Sequence, residues 1–578
     1  METDREVAIV LLLAAIGGAV IAFLVAGVHD AVDGVQTLLF GTAIDGRAAA
    51  GIAPWRRLAV PVAGALVLGL VLVWLGRHNR LAIIDPLEAN ATEGGRMSAT
   101  QTLTFLMLSA ISVSIGGSVG FEAAMSQLGA GLLSVTGQRL GLPRRALRCL
   151  VACGTAAGIA AIFDAPLTGT LYALELVIGG YAVRALLPTL TAGAMSGLVS
   201  HFVIGAEPIF RMPDIGPPQA WHYPMAVLVG VGAAGLGIAV MRGATGFEAW
   251  LARRAVAKAL RPAAGGLVLG LLAAVFWQVM GPGHTVLREL IAAPPSGLLL
   301  AALLVAKVLA SLACVGSGFR GGLFSASLLM GGFFGALLHL LLVVPLVGPQ
   351  ASMELSIAVG MTAVCASIIG TPVAILLLAI ETTGLHIGIV AVALGVVISS
   401  HLTRRLFGYS FSTWKFHVRG QDLSGPRDIG RIRALTFADT PLTDPVRIGG
   451  DTRIGAAAAG LPPLAAGETV VPLAAVNPMG VFLGFVRRTR LMAAAAETPD
   501  LPVAMIAEAP HAAFVHMNEA LNEHIDIAGG AGGWFAVVDA ENRLIGFAGE
   551  AAVLRRYLHE VHAADHDDTG LFSARQDR

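Results

Sequence analysis

The sequence predicts an all-α multi-span membrane domain of two inverted repeats with broken helices, followed by a small α/β domain. Three observations lead there. Apolar residues are concentrated in the first four hundred positions, those positions contain a long-range repeat, and each repeat carries a glycine-rich turn directly before an apolar helix.

The chain has 578 residues, 56% of them hydrophobic and only 13% charged, and its mean hydropathy is +0.76. Soluble domains carry about 25% charged residues. A membrane span needs about 20 apolar residues. The runs that qualify or nearly qualify are Ala8–Ala26, Leu58–Leu75, Thr102–Ile115, Ala146–Ile162, Met225–Met241, Gly265–Met280, Gly297–Val315, Leu323–Val344, Ser356–Ile369 and Val373–Ser399. Several are shorter than a full span, which suggests helices that stop inside the bilayer. Met1–Glu6 carries three acidic residues and one Arg5, which does not fit a secretory signal. Arg404, Arg405, Lys415, Arg419, Arg427, Arg431 and Arg433 follow the last span, so the positive-inside rule puts the C-terminal part in the cytoplasm and the protein in the cell (inner or plasma) membrane.

The repeat is legible residue by residue. Pro166 and Pro372, Glu175 and Glu381, Gly154 and Gly360 all stand 206 positions apart. Gly120-Phe121-Glu122-Ala123-Ala124 matches Gly322-Leu323-Phe324-Ser325-Ala326 at an offset of 202. The repeats are expected over about 5–205 and 220–412. Each helix start offers unpaired N–H groups and a positive dipole end, and two such ends facing one point bind an anion without fixed positive charge.

Ionisable groups within apolar segments are costly and usually functional. Glu122, at the mouth of a broken helix, can act as a gate that occupies the anion site until protonated, or as a helix cap. Glu175 and Glu381 read as buried carboxylates satisfied by backbone N–H groups or a basic partner, and Lys307 as a residue that snorkels or pairs with a carboxylate. The four cysteines, Cys149, Cys153, Cys314 and Cys365, lie in apolar runs without CxxC spacing and give no support for a metal site.

At these residues the chain resembles the CLC family of chloride channels and chloride/proton antiporters over residues 1–420. The family motif G-R-E-G-P corresponds to Gly120–Ala124, G-[IV]-F-x-P to Gly322–Ala326, and the preceding GSG-x-x-GG pattern to Gly316–Gly322. The resemblance implies that Glu122 is the gate, that amides around Gly120, Phe121, Ala123, Leu323 and Phe324 coordinate chloride, and that Phe324 lines the pore. It also implies a homodimer with one pore per subunit in a lipid bilayer. The family's serine ligand falls near Arg80–Ile84, where no serine stands, and its tyrosine ligand falls at Ser412, with Tyr409 the alternative. The proton-relay glutamate of the antiporters maps to Leu176, which cannot carry a proton. That favours a passive chloride channel, with a chloride/proton antiporter using a non-standard proton route as the alternative.

From 434 to 560 the pattern changes to strand–strand–helix units, about 436–496 and 502–560. Val470–Ala475, Gly480–Val486 and Arg490–Ala495 form the first set; Trp534–Asp539, Arg543–Ala548 and Ala551–Glu560 the second, with a helix at Asn518–Ile525 before it. These resemble the CBS-domain pair of many CLC proteins. The stretches matching its nucleotide motif, Gly484–Arg490 and Gly546–Ala552, lack the final Asp that would hold a ribose, which argues against adenine nucleotide binding. Residues 561–578 read as a flexible tail. Zero net charge gives no basic surplus for nucleic acid, and no organic cofactor is expected. An intramembrane enzyme is not expected either: there is no HExxH, no paired Asp motif, and no Ser–His pair expected at plausible membrane depth.

Overall fold

The computed structural model describes residues 4–418 and 435–556, apart from 45–47, 79–82, 92, 206–209, 211, 213–218, 349–350, 385–387, 463–470, 509–513, 520, 522–532 and 554. The chain divides into two compact units, Met1–Arg427 and Asp428–Arg578.

In the first unit, eight helices among the described residues are long and apolar enough to cross a membrane: Glu6–Phe40, Pro54–Arg77, Arg144–Phe163, Val183–Ile204, His222–Arg253, Gly297–Ser317, Phe324–Val347 and Ile389–Trp414. Shorter apolar helices, among them Ala99–Ser114, Arg261–Val275, Glu354–Ile369 and Pro372–Thr383, lie between them in sequence. Large apolar side chains such as Leu12, Leu38, Val183, Phe202 and Leu298 face outward, as a lipid solvent allows. Two expected spans differ, and one further helix was not expected. The first helix runs on to Phe40, because its polar residues after Ala26 come at most two together between apolar ones and do not interrupt the backbone ladder. Val373–Ser399 is two helices, Pro372–Thr383 and Ile389–Leu406, with Gly384 and Gly388 in the left-handed region between them. Val183–Leu198 was not anticipated, since Arg184, Pro188 and the small polar residues dilute its hydropathy.

The repeat is visible in the packing. In the first half, Gly129 and Gly154 touch backbone to backbone; in the second, Gly331 and Gly360 do the same, and a side chain at any of the four would collide with main chain. These contacts let the Glu122–Arg139 helix lie against Arg144–Phe163, and Phe324–Leu338 against Glu354–Ile369. Each second helix ends in a left-handed residue, Asp164 or Gly370, and the next begins with a proline, Pro166 or Pro372.

The two proline-led helices are capped across the repeat. The Glu381 carboxylate accepts from the N–H groups of Leu167 (2.9 Å) and Thr168 (2.7 Å) and from the Thr168 hydroxyl (2.6 Å). The Glu175 carboxylate accepts from the N–H groups of Val373 (3.2 Å) and Ala374 (3.0 Å), and from the Tyr181 hydroxyl (2.6 Å). Each half thus supplies the anionic cap for the other half's helix start, where the dipole favours it. Both glutamates are half-buried rather than buried, and both carboxylates accept from backbone N–H groups.

Among the described residues, the second unit holds two three-stranded sheets of the same design. The first is β1 (Arg447–Gly449), β2 (Leu473–Val476) and β3 (Phe482–Val486); the second is β4 (Phe514–His516), β5 (Trp534–Val538) and β6 (Leu544–Gly549). In each, the first pair is parallel and the second antiparallel. Phe482, Phe485, Ala536, Val538, Leu544 and Phe547 form a core shared by both sheets. The strands β1 and β4 were not expected, because three residues are too few to show alternation. The helix after β3 spans Arg488–Glu497. Most of the expected helix Asn518–Ile525, the end of Ala551–Glu560 and the whole of 561–578 lie outside the described residues.

Removing either cross-cap should lower thermal stability. Glu381→Ala and Glu175→Ala each strip charged acceptors from two helical N–H groups, a loss of about 2–3 kcal/mol apiece. Thermal unfolding in detergent checks this, and unchanged melting temperatures in both variants would contradict it. Gly360→Val should destabilise by about 1–3 kcal/mol or more through its collision with the Gly331 main chain.

Candidate functional site

The two glycine-rich turns meet. Gly120 donates its N–H to the Gly322 carbonyl (2.7 Å) and Gly322 donates to the Gly120 carbonyl (2.9 Å), an isolated antiparallel bridge between the repeats. Immediately after it, Phe121 (φ −95°, ψ −6°) and Leu323 (φ −102°, ψ 11°) turn the chain alike into the Glu122–Arg139 and Phe324–Leu338 helices. Two helix N-termini therefore start on either side of one point. The first turn is held from behind. Gly281 donates to the Gly116 carbonyl (3.2 Å), the Ser118 hydroxyl bonds the Ser311 hydroxyl (3.0 Å), and the Ser112 hydroxyl accepts from the Arg320 N–H (2.9 Å).

Glu122 is almost fully buried and curls back over Gly120. A methyl group on Gly120 would overlap the Glu122 Oε2 atom, so the carboxylate lies in space that only glycine leaves open. The Ser325 hydroxyl donates to Glu122 Oε1, and the N–H groups of Glu122 and Ser325 lie close to the same carboxyl. Oε2 has no hydrogen-bond partner among the described residues. The carboxylate therefore receives donors from both helix starts, as an anion at that point would.

Phe324 is buried, its ring 5.0 Å from that of Phe163 and 5.8 Å from that of Tyr172. Ala123 approaches Gly322, and Leu323 is buried. Six of the residues singled out in sequence, Gly120, Phe121, Glu122, Ala123, Leu323 and Phe324, thus cluster around the bridge.

Other candidates stand differently. Lys307 is fully buried and does not snorkel. Its Nζ donates to the carbonyls of Val279 (3.2 Å) and Gly281 (2.8 Å), the same turn that holds Gly116. Leu176 lies half-buried against the main hydrophobic core, beside the Glu175 that caps the Pro372 helix. Ser412 makes no side-chain hydrogen bond among the described residues. Its neighbours Ser410 and Thr413 bond each other, Ser410 also packs on Gly370, and Trp414 bonds Thr245. Tyr409 stacks into a ring cluster with Phe407 (6.0 Å) and Trp414 (5.4 Å). Of the Arg80–Ile84 stretch, Ile83 and Ile84 are described, and the Ile84 carbonyl accepts from Gln127 of the Glu122 helix (2.9 Å).

Three residues were missed. Ser325 stands inside a motif quoted for its glycines and phenylalanine. Tyr172 is buried beside Phe324 on the first repeat's proline-led helix. His284 follows the left-handed Gly283 at a helix start, and its Nε2 lies 2.6 Å from the Ser325 hydroxyl oxygen and 4.0 Å from Glu122 Oε1. The expectation of no Ser–His pair in the membrane part is therefore corrected: the two are 41 positions apart and meet only in the fold. Their order differs from a nucleophile–base–orienter chain, because the carboxylate bonds the serine rather than the far side of the imidazole. The signal for His284 is its Gly-Pro-Gly-His turn between two apolar segments.

The voltage gated chloride channel family model matches residues 63–404. Over 405 residues the chain is 29% identical to the voltage-gated ClC-type chloride channel ClcB of Escherichia coli O81, covering 68% of this chain and 96% of that one. In fold it is similar to a slow cyanobacterial Cl-/H+ antiporter, with a TM-score of 0.61 at 20% identity over 71% of this chain and 97% of that one. It is similar also to a eukaryotic CLC transporter, with a TM-score of 0.62 at 17% identity over 94% of this chain and 97% of that one. With the family model spanning more than half of its length, the chain belongs to the voltage gated chloride channel, or CLC, family.

Proposed function

We propose that the chain moves chloride through the point where the Glu122 and Phe324 helices begin, and that it exchanges this chloride for protons. One observation carries the reading: a buried carboxylate sits between two helix starts, on a glycine, with a hydroxyl donated to it and one oxygen unpartnered among the described residues. Its oxygens stand in for the transported anion. Protonation removes the charge that the helix starts hold, so the side chain leaves and chloride takes its place. When chloride departs, the carboxylate returns and releases its proton. A cycle of this kind couples the two ions in opposite directions. The likeness in fold to a Cl-/H+ antiporter supports it.

A passive channel gated at Glu122 is the second reading. It is favoured by Leu176 and by the hydrogen bonds that commit Glu175 to capping, since neither residue then offers a proton route from the other side. The E. coli relative carries the name of a channel.

On the same reading the unit is a homodimer in the cell membrane with its C-terminal unit cytoplasmic, supported by the basic flank at Arg404, Arg405 and Lys415. The two like sheets of that unit support a CBS-like pair that stabilises the protein rather than one that holds a nucleotide.

Purified protein in liposomes should drive protons uphill when a chloride gradient is imposed, and chloride efflux without proton movement would leave the passive reading. Glu122→Gln should raise chloride flux at neutral pH at least about threefold and flatten its pH dependence, because the closed population is removed. Gly120→Ala, which expels the carboxylate without removing it, should also raise neutral-pH flux while proton titration persists. A Glu122→Gln variant with the original pH profile would reduce Glu122 to a helix cap.

A further inference from the structure

Coupled exchange requires a group that passes protons to Glu122, and Leu176 cannot. We propose that His284 is this group, acting through the Ser325 hydroxyl. The proposal rests on the reading of Glu122 as the exchanging carboxyl and names its proton partner.

The three side chains form one hydrogen-bonded line. His284 Nε2 lies 2.6 Å from Ser325 Oγ, and that hydroxyl donates to Glu122 Oε1. Since the serine proton points to the carboxylate, Nε2 must supply the N–H on the other side. The direct Nε2–Oε1 separation of 4.0 Å is too long for a hydrogen bond, so the serine is the bridge. The His284 side chain keeps 14% of its surface exposed against 3% for Glu122, so the line runs from a reachable group to a buried one. The ring is set edge-on by Phe163 (6.2 Å) and Phe210 (5.9 Å), which fixes Nε2 toward the serine.

Among the described residues, the titratable groups around the line come from four elements. Glu122 comes from its own helix, and the Tyr172 phenol and Cys365 thiol, which both sense the Glu122 charge, come from the Pro166 and Glu354 helices. Asp85 acts on Tyr172 from its loop. On the His284 helix, Arg288 donates to the Thr285 hydroxyl (2.8 Å), and Glu289 is exposed. Histidine alone among these side-chain types ordinarily titrates near pH 6.5.

The step balances without another reactant. The imidazolium Nε2–H bond breaks as Ser325 Oγ takes that proton, and the serine O–H bond breaks as Glu122 Oε1 takes the second. Imidazolium and carboxylate become imidazole and carboxylic acid, the serine is regenerated, and a hydronium ion that reaches the emptied Nε2 restores the imidazolium and leaves water. The neutral Glu122 then yields its place to chloride.

The test uses the full-length chain in liposomes, with chloride efflux and proton uptake followed from about pH 3.5 to 8, a range that brackets the ordinary histidine and glutamate values. His284→Gln keeps a donor for Ser325 but cannot titrate, and Ser325→Ala keeps the histidine but removes the bridge. Both should lose the pH limb that the parent flux profile shows within this range, and both should lower protons moved per chloride at neutral pH by about a hundredfold, the lower end for a positioned proton donor. His284→Gln with the parent pH limb and the parent proton-to-chloride ratio would overturn the proposal, and so would a parent-like Ser325→Ala should the histidine variant fail to fold. A parent protein that moves chloride with no protons sinks the exchange reading instead. The pH limb then still decides His284: its loss in the variant supports the proposal, and its retention overturns it.

Discussion

Everything at the centre of the membrane unit depends on one pair of main-chain hydrogen bonds, those exchanged by Gly120 and Gly322. An irregular backbone is tolerated at membrane depth only where its polar groups are satisfied by protein. Here each turn satisfies the other. The bridge fixes where the two helices start, and therefore where their unpaired N–H groups converge. It also brings Ser325 to Glu122, although they belong to different repeats. On the proposed reading, these converging N–H groups make the anion site.

The same economy governs the periphery. Glu175 and Glu381 do not act as free charges; each neutralises the dipole end and the orphan N–H groups of a helix in the opposite half. Lys307 is spent on the carbonyls of Val279 and Gly281, and Gly281 in turn donates to Gly116 at the first turn. Charged groups inside this unit thus serve as braces for broken helices, which leaves Glu122 as the carboxylate whose second oxygen has no hydrogen-bond partner among the described residues.

Much of this was legible in the sequence because a duplicated constraint leaves a duplicated signature. Pro166 with Pro372, Glu175 with Glu381, and Gly154 with Gly360 kept their spacing because helix starts, caps and close crossings tolerate few other residues. Gly120 and Gly322 were visible for the same reason. What escaped was either diluted or non-local. The Val183–Leu198 helix hides behind Pro188 and its small polar residues, and β1 and β4 are too short for a period. His284 and Ser325 share no local pattern, since their contact exists only after the second glycine turn has docked beside the His284 helix. The family resemblance puts Leu176 where antiporters carry a proton relay, but only the fold shows a histidine joined to Glu122 by a hydroxyl.

The central claim is that the Glu122 carboxylate and chloride compete for one place, and chloride affinity as a function of pH tests it most directly. Calorimetric titration of the detergent-solubilised protein with chloride should give tighter binding as pH falls, because protonation empties the site of its internal anion. The same titration of Glu122→Gln should give tight binding at every pH. Chloride affinity that is independent of pH in the parent protein, or that varies equally in the variant, would contradict the competition.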